Sequence, residues 1–388
     1  MSTLGVPEIP ELSRLRVALV HDWLTGMRGG ERTLDALCQL FPAARLYTLV
    51  HVPGQVSEAI ERLHPRTSFV QRLPLAKRFY RHYLPVFPVA VETFDLDEAD
   101  LVISTSHCAV KSVIAPGRAK HLCYCFTPMR YAWDQFDAYF GPSRLGGLSR
   151  PARSVLGAIA RWDASTSDRP DRYVAISQYV ARRIRRYYNR ESAVIYPPVE
   201  TEFYYPDGGT PDSYCLVVSA LVPYKRVDIA IEACRRARMP LKVVGEGPEQ
   251  ALLTRLAQDS GADIELLGRR SDEEVRALYR RALAVLLPGE EDFGIVPVEA
   301  QACGRPVVAF GRGGAVETII DGETGVLVPE CTPDAFADGI ERIRQLQVDG
   351  LAIRQHAVQF SRERFIREMT TTVADLLSTK PALEPALS

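Results

Sequence analysis

The chain reads as an α/β protein built from two doubly wound parallel sheets, each covered by helices on both faces. Three observations lead there. Short apolar, β-branched runs alternate with longer amphipathic patterns from end to end, and continuous apolar runs of that length are strands buried on both faces, as parallel sheets require. The runs are too many for one open sheet. A break falls near Tyr196-Pro197-Pro198-Val199, where two prolines interrupt helix and strand alike.

In chain order, the first half supplies strand candidates from Val17 to Val20, Leu46 to Val50, Leu101 to Ser104, His121 to Phe126, Tyr173 to Ile176 and Val194 to Tyr196. Helix candidates between them include Glu31 to Leu40, Ala152 to Ala164 and Tyr179 to Tyr188. The second half repeats the scheme from Cys215 to Ser219, Leu241 to Val244, Ile264 to Leu267, Ala284 to Leu287, Val307 to Phe310 and Gly325 to Val328. From about Asp349 to Ser378 the pattern is helical and opens no new sheet. This organisation predicts an N-terminal domain over residues 1–199, a second over 200–365, and a helix and tail over 366–388 that packs back on the first domain and braces the two. Pro and Ala in the final eight residues predict a frayed end. Open α/β sheets bind ligands beyond the carboxyl ends of their strands, so two facing domains would hold a site in the cleft between them.

The 388 residues are 46% hydrophobic and 24% charged, a composition that excludes wholesale disorder. No apolar stretch approaches the roughly 18 residues of a spanning helix. The acidic start, without an apolar segment, is not a secretory signal. Eight scattered cysteines lack metal-ligand spacing and read as buried, reduced thiols, which fits a cytoplasmic protein. The 47 basic and 48 acidic residues nearly cancel, but not locally. Up to Pro198 there are 26 basic and 18 acidic residues, a net of +8, and beyond it 21 and 30, a net of -9. Such asymmetry points one half toward an anionic partner.

The sharpest motif runs from Pro288 to Ala300, PGEEDFGIVPVEA. A strand ends at Leu287, a polar turn carries Glu291, and a helix follows with Glu299 one to two turns in. The free N–H groups at that helix start, from Gly294 and its neighbours Phe293 and Ile295, form a seat for a diphosphate. Two carboxylates beside it could take sugar hydroxyls on either side. On spacing alone, two solvated glutamates on an ordinary strand-turn-helix are an equal reading.

The flanking motifs decide between them. Glu291 and Glu299 with Phe293-Gly294 after the first, the run Ala302-Cys303-Gly304-Arg305-Pro306, Gly313-Gly314, and Asp321-Gly322-Glu323-Thr324-Gly325 together resemble the signature of the family 4 retaining glycosyltransferases. Leu221 to Asp228 resembles that family's donor-phosphate segment, and Val244 to Pro248 its next glycine turn. The resemblance is dense over about residues 210–330. It implies a GT-B fold of two Rossmann-like domains. It also implies that Glu291 meets hydroxyls of the donor sugar, Glu299 the nucleotide ribose and Lys225 the diphosphate. A lysine at a helix start opposes the helix dipole, which favours function over a solvated position. One departure stands out: where many members carry an Arg five residues before this Lys, the chain has Ala220, with Arg226 as the nearest second cation.

In the first half, Gly29-Gly30 opens a helix after the first strand, and the resemblance implies close backbone approach to donor phosphate and acceptor there. A lone histidine is more often structural, but His107 resembles the family's cleft histidine, whose implied role is a hydrogen bond to the transferred sugar. Phe126 to Asp134 suits a sugar surface or a packed aromatic loop, and resembles a subgroup acting in bacterial surface polysaccharide assembly, many of them using GDP-mannose. The acceptor so implied is a lipid-linked saccharide at the inner face of the membrane. Asp95-Leu96-Asp97 lacks further convergent oxygens, so no metal or other cofactor is expected besides the nucleotide sugar as co-substrate. Two basic-aromatic stretches, Lys77 to Tyr83 and Arg182 to Tyr188, read as a solvated helix face or as contacts to an anionic membrane surface, ahead of nucleic acid. A sugar-nucleotide epimerase and a non-catalytic carbohydrate- or lipid-binding protein are the rival readings.

Overall fold

In the computed structural model, which describes residues 14–133, 149–346 and 349–378, the apolar runs form strands and every strand pair is parallel. The described chain divides into two units, residues 14–198 with 363–378, and residues 199–362.

The first unit contains β1 (Val17–Leu24), β2 (Arg45–His51), β3 (Arg66–Thr67), β4 (Leu101–Ser106), β5 (Lys120–Cys125), β6 (Arg172–Ala175) and β7 (Ser192–Val194). They lie in the order β3-β2-β1-β4-β5-β6-β7. The second unit contains β8 (Cys215–Val218), β9 (Leu241–Val244), β10 (Ile264–Gly268), β11 (Ala284–Leu287), β12 (Val307–Phe310) and β13 (Gly325–Val328), in the order β10-β9-β8-β11-β12-β13. Both sheets are therefore doubly wound. Each reverses direction once, between β1 and β4 in the first and between β8 and β11 in the second, and those switch points are where such sheets open a crevice for ligands.

Burial explains the apolar runs: every residue of β1, β4 and β11 is buried. β1 continues four residues past Val20, through His21-Asp22-Trp23-Leu24, because Asp22 and the Nδ1 of His21 find hydrogen-bond partners inside the protein. The two-residue β3 is exposed, so no hydrophobic pattern marks it. The strand expected from Val194 to Tyr196 lies instead at Ser192–Val194. Ile195 still donates to Ala175, but Pro197 has no N–H with which to continue the ladder.

Helices follow their periodicity. Gly29–Leu40 buries Thr33, Leu34, Leu37 and Cys38 on one stripe. Gln178–Tyr188 is capped by the Ser177 hydroxyl, which accepts from the Val180 N–H, and ends on Asn189 in the left-handed region. The C-terminal helical pattern is two helices, Gly350–Val358 and Arg362–Ser378. Nearly all of the last belongs with the first unit, where Phe365 packs edge-on to Tyr124 with ring centroids 5.6 Å apart and Arg172 donates to the Thr372 carbonyl at 3.2 Å. Seven of the eight cysteines are buried and none forms a disulfide. Among the described residues, no helix is long and apolar enough to cross a membrane. The readings of the N-terminal start, the final eight residues and Asp134 lie outside the described residues.

Candidate active site

At the switch point of the second unit, loops from four strand ends interlock through their backbones. The turn after β11 begins at Pro288-Gly289 and passes through Glu291 to Gly294. The Gly313-Gly314 turn after β12 is bonded to it, with the Gly314 N–H donating to the Glu291 carbonyl at 2.7 Å. A Cβ on Gly314 would run into the backbone of Phe293, so only glycine permits this approach. The turn after β9 is tied to the one after β8, Leu221 donating to the Glu246 carbonyl at 2.9 Å.

This framework carries Lys225 and Glu291 to each other. Their side chains form an ion pair and are 18% and 16% exposed. Beside them the helix Ile295–Ala302 starts at Gly294, whose φ of 90° is the left-handed backbone that favours glycine. Pro297 removes one first-turn N–H, which leaves those of Ile295 and Val296 at the open end of the helix. A cation, a carboxylate and helix-start amides thus share one turn system, an arrangement that suits a phosphorylated ligand carrying hydroxyls.

The other expected residues of this unit are placed less uniformly. The Phe293 ring is buried against Phe360, centroids 5.7 Å apart, so its backbone, not its ring, belongs to the turn. Glu299 is buried and accepts from the Tyr279 hydroxyl at 3.1 Å. Arg226, at φ 52°, pairs with Asp228 at 3.0 Å, so the second cation is engaged by its own neighbour. Ala220 is exposed.

In the first unit, His107 and Gly29-Gly30 gather at the β1–β4 switch point. Gly29 and Gly30 are the first residues of the Gly29–Leu40 helix. A Cβ on Gly30 would lie 3.5 Å from both the His21 and Phe126 rings. Glu31 is buried in the same turn and accepts from the Arg28 N–H at 3.2 Å, and burial pushes its pKa up to about 7. His107 sits one residue past β4, edge-on to Trp23 with centroids 4.3 Å apart. Burial, then the positive charges of Arg81, Arg28 and Arg130, push its pKa down to about 3, so the ring is neutral.

Sequence reasoning missed the residues behind it. Asp22 is fully buried and accepts four consecutive backbone N–H groups: His107 and Cys108 on Oδ2, both at 2.8 Å, and Ala109 and Val110 on Oδ1 at 2.7 and 3.1 Å. Oδ2 also lies 3.3 Å from His107 Nδ1. Burial pushes the Asp22 pKa up, while those backbone bonds pull it back. The neighbouring His21 is held through Nδ1 to the Thr105 hydroxyl at 2.8 Å, and burial pushes its pKa down to about 3. The one available signal was the polar pair His21-Asp22 embedded in an apolar run. Tyr279 gave none.

The remaining motifs are also placed. The segment after β5 forms a helical turn, Arg130–Trp133, and Trp133 donates to Asp163 at 2.8 Å and stacks on Tyr187. Asp95 and Asp97 form a local turn, with Asp95 Oδ1 accepting from the Asp97 N–H at 3.3 Å. No group of three or more His, Cys, Asp or Glu among the described residues is arranged to hold a metal ion. Lys77, Arg78, Phe79 and Arg81 are exposed together with Leu75. In the other basic stretch, Arg182, Arg185 and Arg186 are exposed, but Arg183 is buried and donates to the Thr127 hydroxyl.

Fold and site together define a protein of two doubly wound units with a glycine-containing turn leading into a helix at each switch point. Residues 27–203 match "Glycosyltransferase Family 4" and residues 209–363 match "Glycosyl transferases group 1". The two domains of this chain belong to these glycosyltransferase families, and the fold is that of a GT-B protein. Among similar proteins, "Uncharacterized glycosyltransferase MJ1178" of Methanocaldococcus jannaschii is 33% identical over 44% of this chain and 48% of its own length. The "GDP-mannose-dependent alpha-(1-6)-phosphatidylinositol monomannoside mannosyltransferase" of Mycolicibacterium smegmatis is 32% identical over 52% of this chain and 63% of its own. The chain thus spans about half to somewhat under two thirds of these relatives. The solved structure of Anabaena HepE in complex with UDP-glucose superposes with a TM-score of 0.68 at 18% identity, covering 92% of this chain and 99% of that one, which is a likeness of fold.

Proposed function

We propose that this protein transfers a sugar from a nucleoside diphosphate donor to a saccharide acceptor, with retention at the anomeric carbon. The observation that carries the reading is the convergence of Lys225, Glu291 and the Gly294 helix start in one turn system at the β8–β11 switch point. A departing nucleoside diphosphate develops negative charge, and a cation with pre-oriented amides stabilises it. Lys225 and the amides of Ile295 and Val296 take the diphosphate. Glu291 accepts hydroxyl hydrogens of the donor sugar, and Glu299, oriented by Tyr279, those of the ribose. The departing phosphate itself deprotonates the acceptor hydroxyl on the same face of the sugar, so no glycosyl-enzyme bond forms. Trapping such an adduct on Glu291 would contradict this.

Mannose from GDP-mannose is the donor favoured by the similarity to the M. smegmatis mannosyltransferase, and a lipid-linked saccharide is the acceptor. The exposed Leu75 and Phe79 beside Lys77, Arg78 and Arg81 support a protein that rests on an anionic membrane face. Donor hydrolysis screened across GDP- and UDP-sugars tests the reading without an acceptor. We expect one class to be hydrolysed, Glu291→Ala to abolish hydrolysis and Glu299→Ala to weaken donor binding. Wild-type rates in both variants would sink the assignment.

A further inference from the structure

We propose that Asp22 is a positioning residue for His107, holding both the turn that carries it and the tautomer of its ring. This rests on the reading above for the role of His107, while the geometry stands by itself.

Residues 107–110 leave the end of β4, where the ladder to β1 stops and their N–H groups lose strand partners. One buried carboxylate takes all four. A carboxylate has acceptor sites enough for this and no donor to offer. Four aligned N–H dipoles also compensate its charge, as backbone nests do for bound anions. A merely structural cap would be complete at that point. The side chain goes further, because Oδ2 faces His107 Nδ1 at 3.3 Å. A carboxylate oxygen this close to a bare ring nitrogen would repel its lone pair, so the proton sits on Nδ1, drawn to the Asp22 charge. The neutral ring therefore keeps an unprotonated Nε2, an acceptor for a hydroxyl hydrogen of the substrate. Trp23, next in β1, packs edge-on against the same ring and fixes its plane. Adjacent residues of one strand thus hold the imidazole by charge and by shape.

The test reads the ring directly. In protein labelled with 15N-histidine, long-range 15N–1H spectra distinguish the tautomers, and His107→Gln identifies which of the seven histidines gives the signal. The wild-type ring should be neutral and protonated on Nδ1 from pH 5 to 8. Finding it protonated on Nε2, or charged in that range, would overturn the proposal. In Asp22→Asn an amide NH2 replaces one oxygen, and the His107 signal should shift toward the Nε2–H form that free histidine favours. An unshifted signal would also overturn it. For catalysis, Asp22→Asn should lower kcat for the substrate found in the donor screen at least tenfold, with donor KM within about threefold and near-UV circular dichroism unchanged. A switched tautomer with unchanged kcat would remove the catalytic half of the proposal. Absence of any wild-type activity would count against the proposed function alone, since the spectra need no substrate.

Discussion

Glutamine at position 291 removes one charge from a pair whose side chains are both more than four-fifths buried. Lys225 is paired with Glu291. A nucleoside diphosphate that recruits Lys225 must therefore displace or share that contact while approaching a second anion. Exposed ion pairs contribute about 0–1 kcal/mol, and partial burial raises the figure to about 1–2 kcal/mol. Glu291→Gln relieves both the competition and the repulsion. Since about 1.4 kcal/mol is a factor of ten, the free nucleoside diphosphate should bind about 5–30 times more tightly even though transfer is lost. Isothermal titration with GDP and UDP measures this, and the gain should shrink between 50 mM and 500 mM salt as screening grows. In a Lys225→Met background the same change at position 291 should keep only the part of its effect that comes from repulsion, because the competition runs through the lysine. Equal or weaker diphosphate binding in Glu291→Gln would refute the idea that Lys225 is the phosphate cation.

Three further outcomes follow from the packing. Gly314→Ala pushes a methyl group into the Phe293 backbone, whereas Gly322, at φ 82°, has open space around it; urea denaturation should show a loss of about 3 kcal/mol for the first and about 1 kcal/mol for the second, and similar losses would refute the close-approach argument. Lys111 and Asp163 form a buried ion pair at 3.1 Å, with Asp163 also accepting from Tyr188 at 2.8 Å. Lys111→Met leaves that carboxylate without its cation and should cost about 3–5 kcal/mol, while a loss under about 1 kcal/mol in the same assay would show the site to be hydrated. Glu31 has its folded pKa raised from 4.5 to about 7. The charged form is thus disfavoured in the folded state, so stability is highest below pH 4.5, falls as the pH rises to about 7, and is level above. The difference amounts to about 3 kcal/mol. Glu31→Gln should flatten that stretch of the stability–pH curve, and an unchanged slope would show Glu31 to be solvated.

The local pattern carried much of the site's address. Gly294 and Gly313 lie in the left-handed region, whereas Gly314 must be glycine because the Phe293 backbone leaves no room for a Cβ where the two turns touch; all three stood in motifs that could be quoted residue by residue. The role of Phe293 was less legible, since the same letters serve a ring in contact with ligand or one packed on Phe360. Arg226 looked like a replacement for the cation absent at Ala220, yet Asp228 two residues on already pairs with it. β1 was read four residues short because His21 and Asp22 ended the apolar run, although their burial is why they matter.

The sequence by itself determined the alternation of strands and helices, the break near Pro198 and the glycine turns at strand ends. Each depends on backbone and side-chain preferences within a few residues. Tertiary structure alone decided which groups meet. Lys225 reaches Glu291 across 66 positions, and Asp22 gathers the N–H groups of residues 85 to 88 positions later. Strand order brings those segments together, and a hydrogen bond is set by distance in space, which spacing along the chain does not encode.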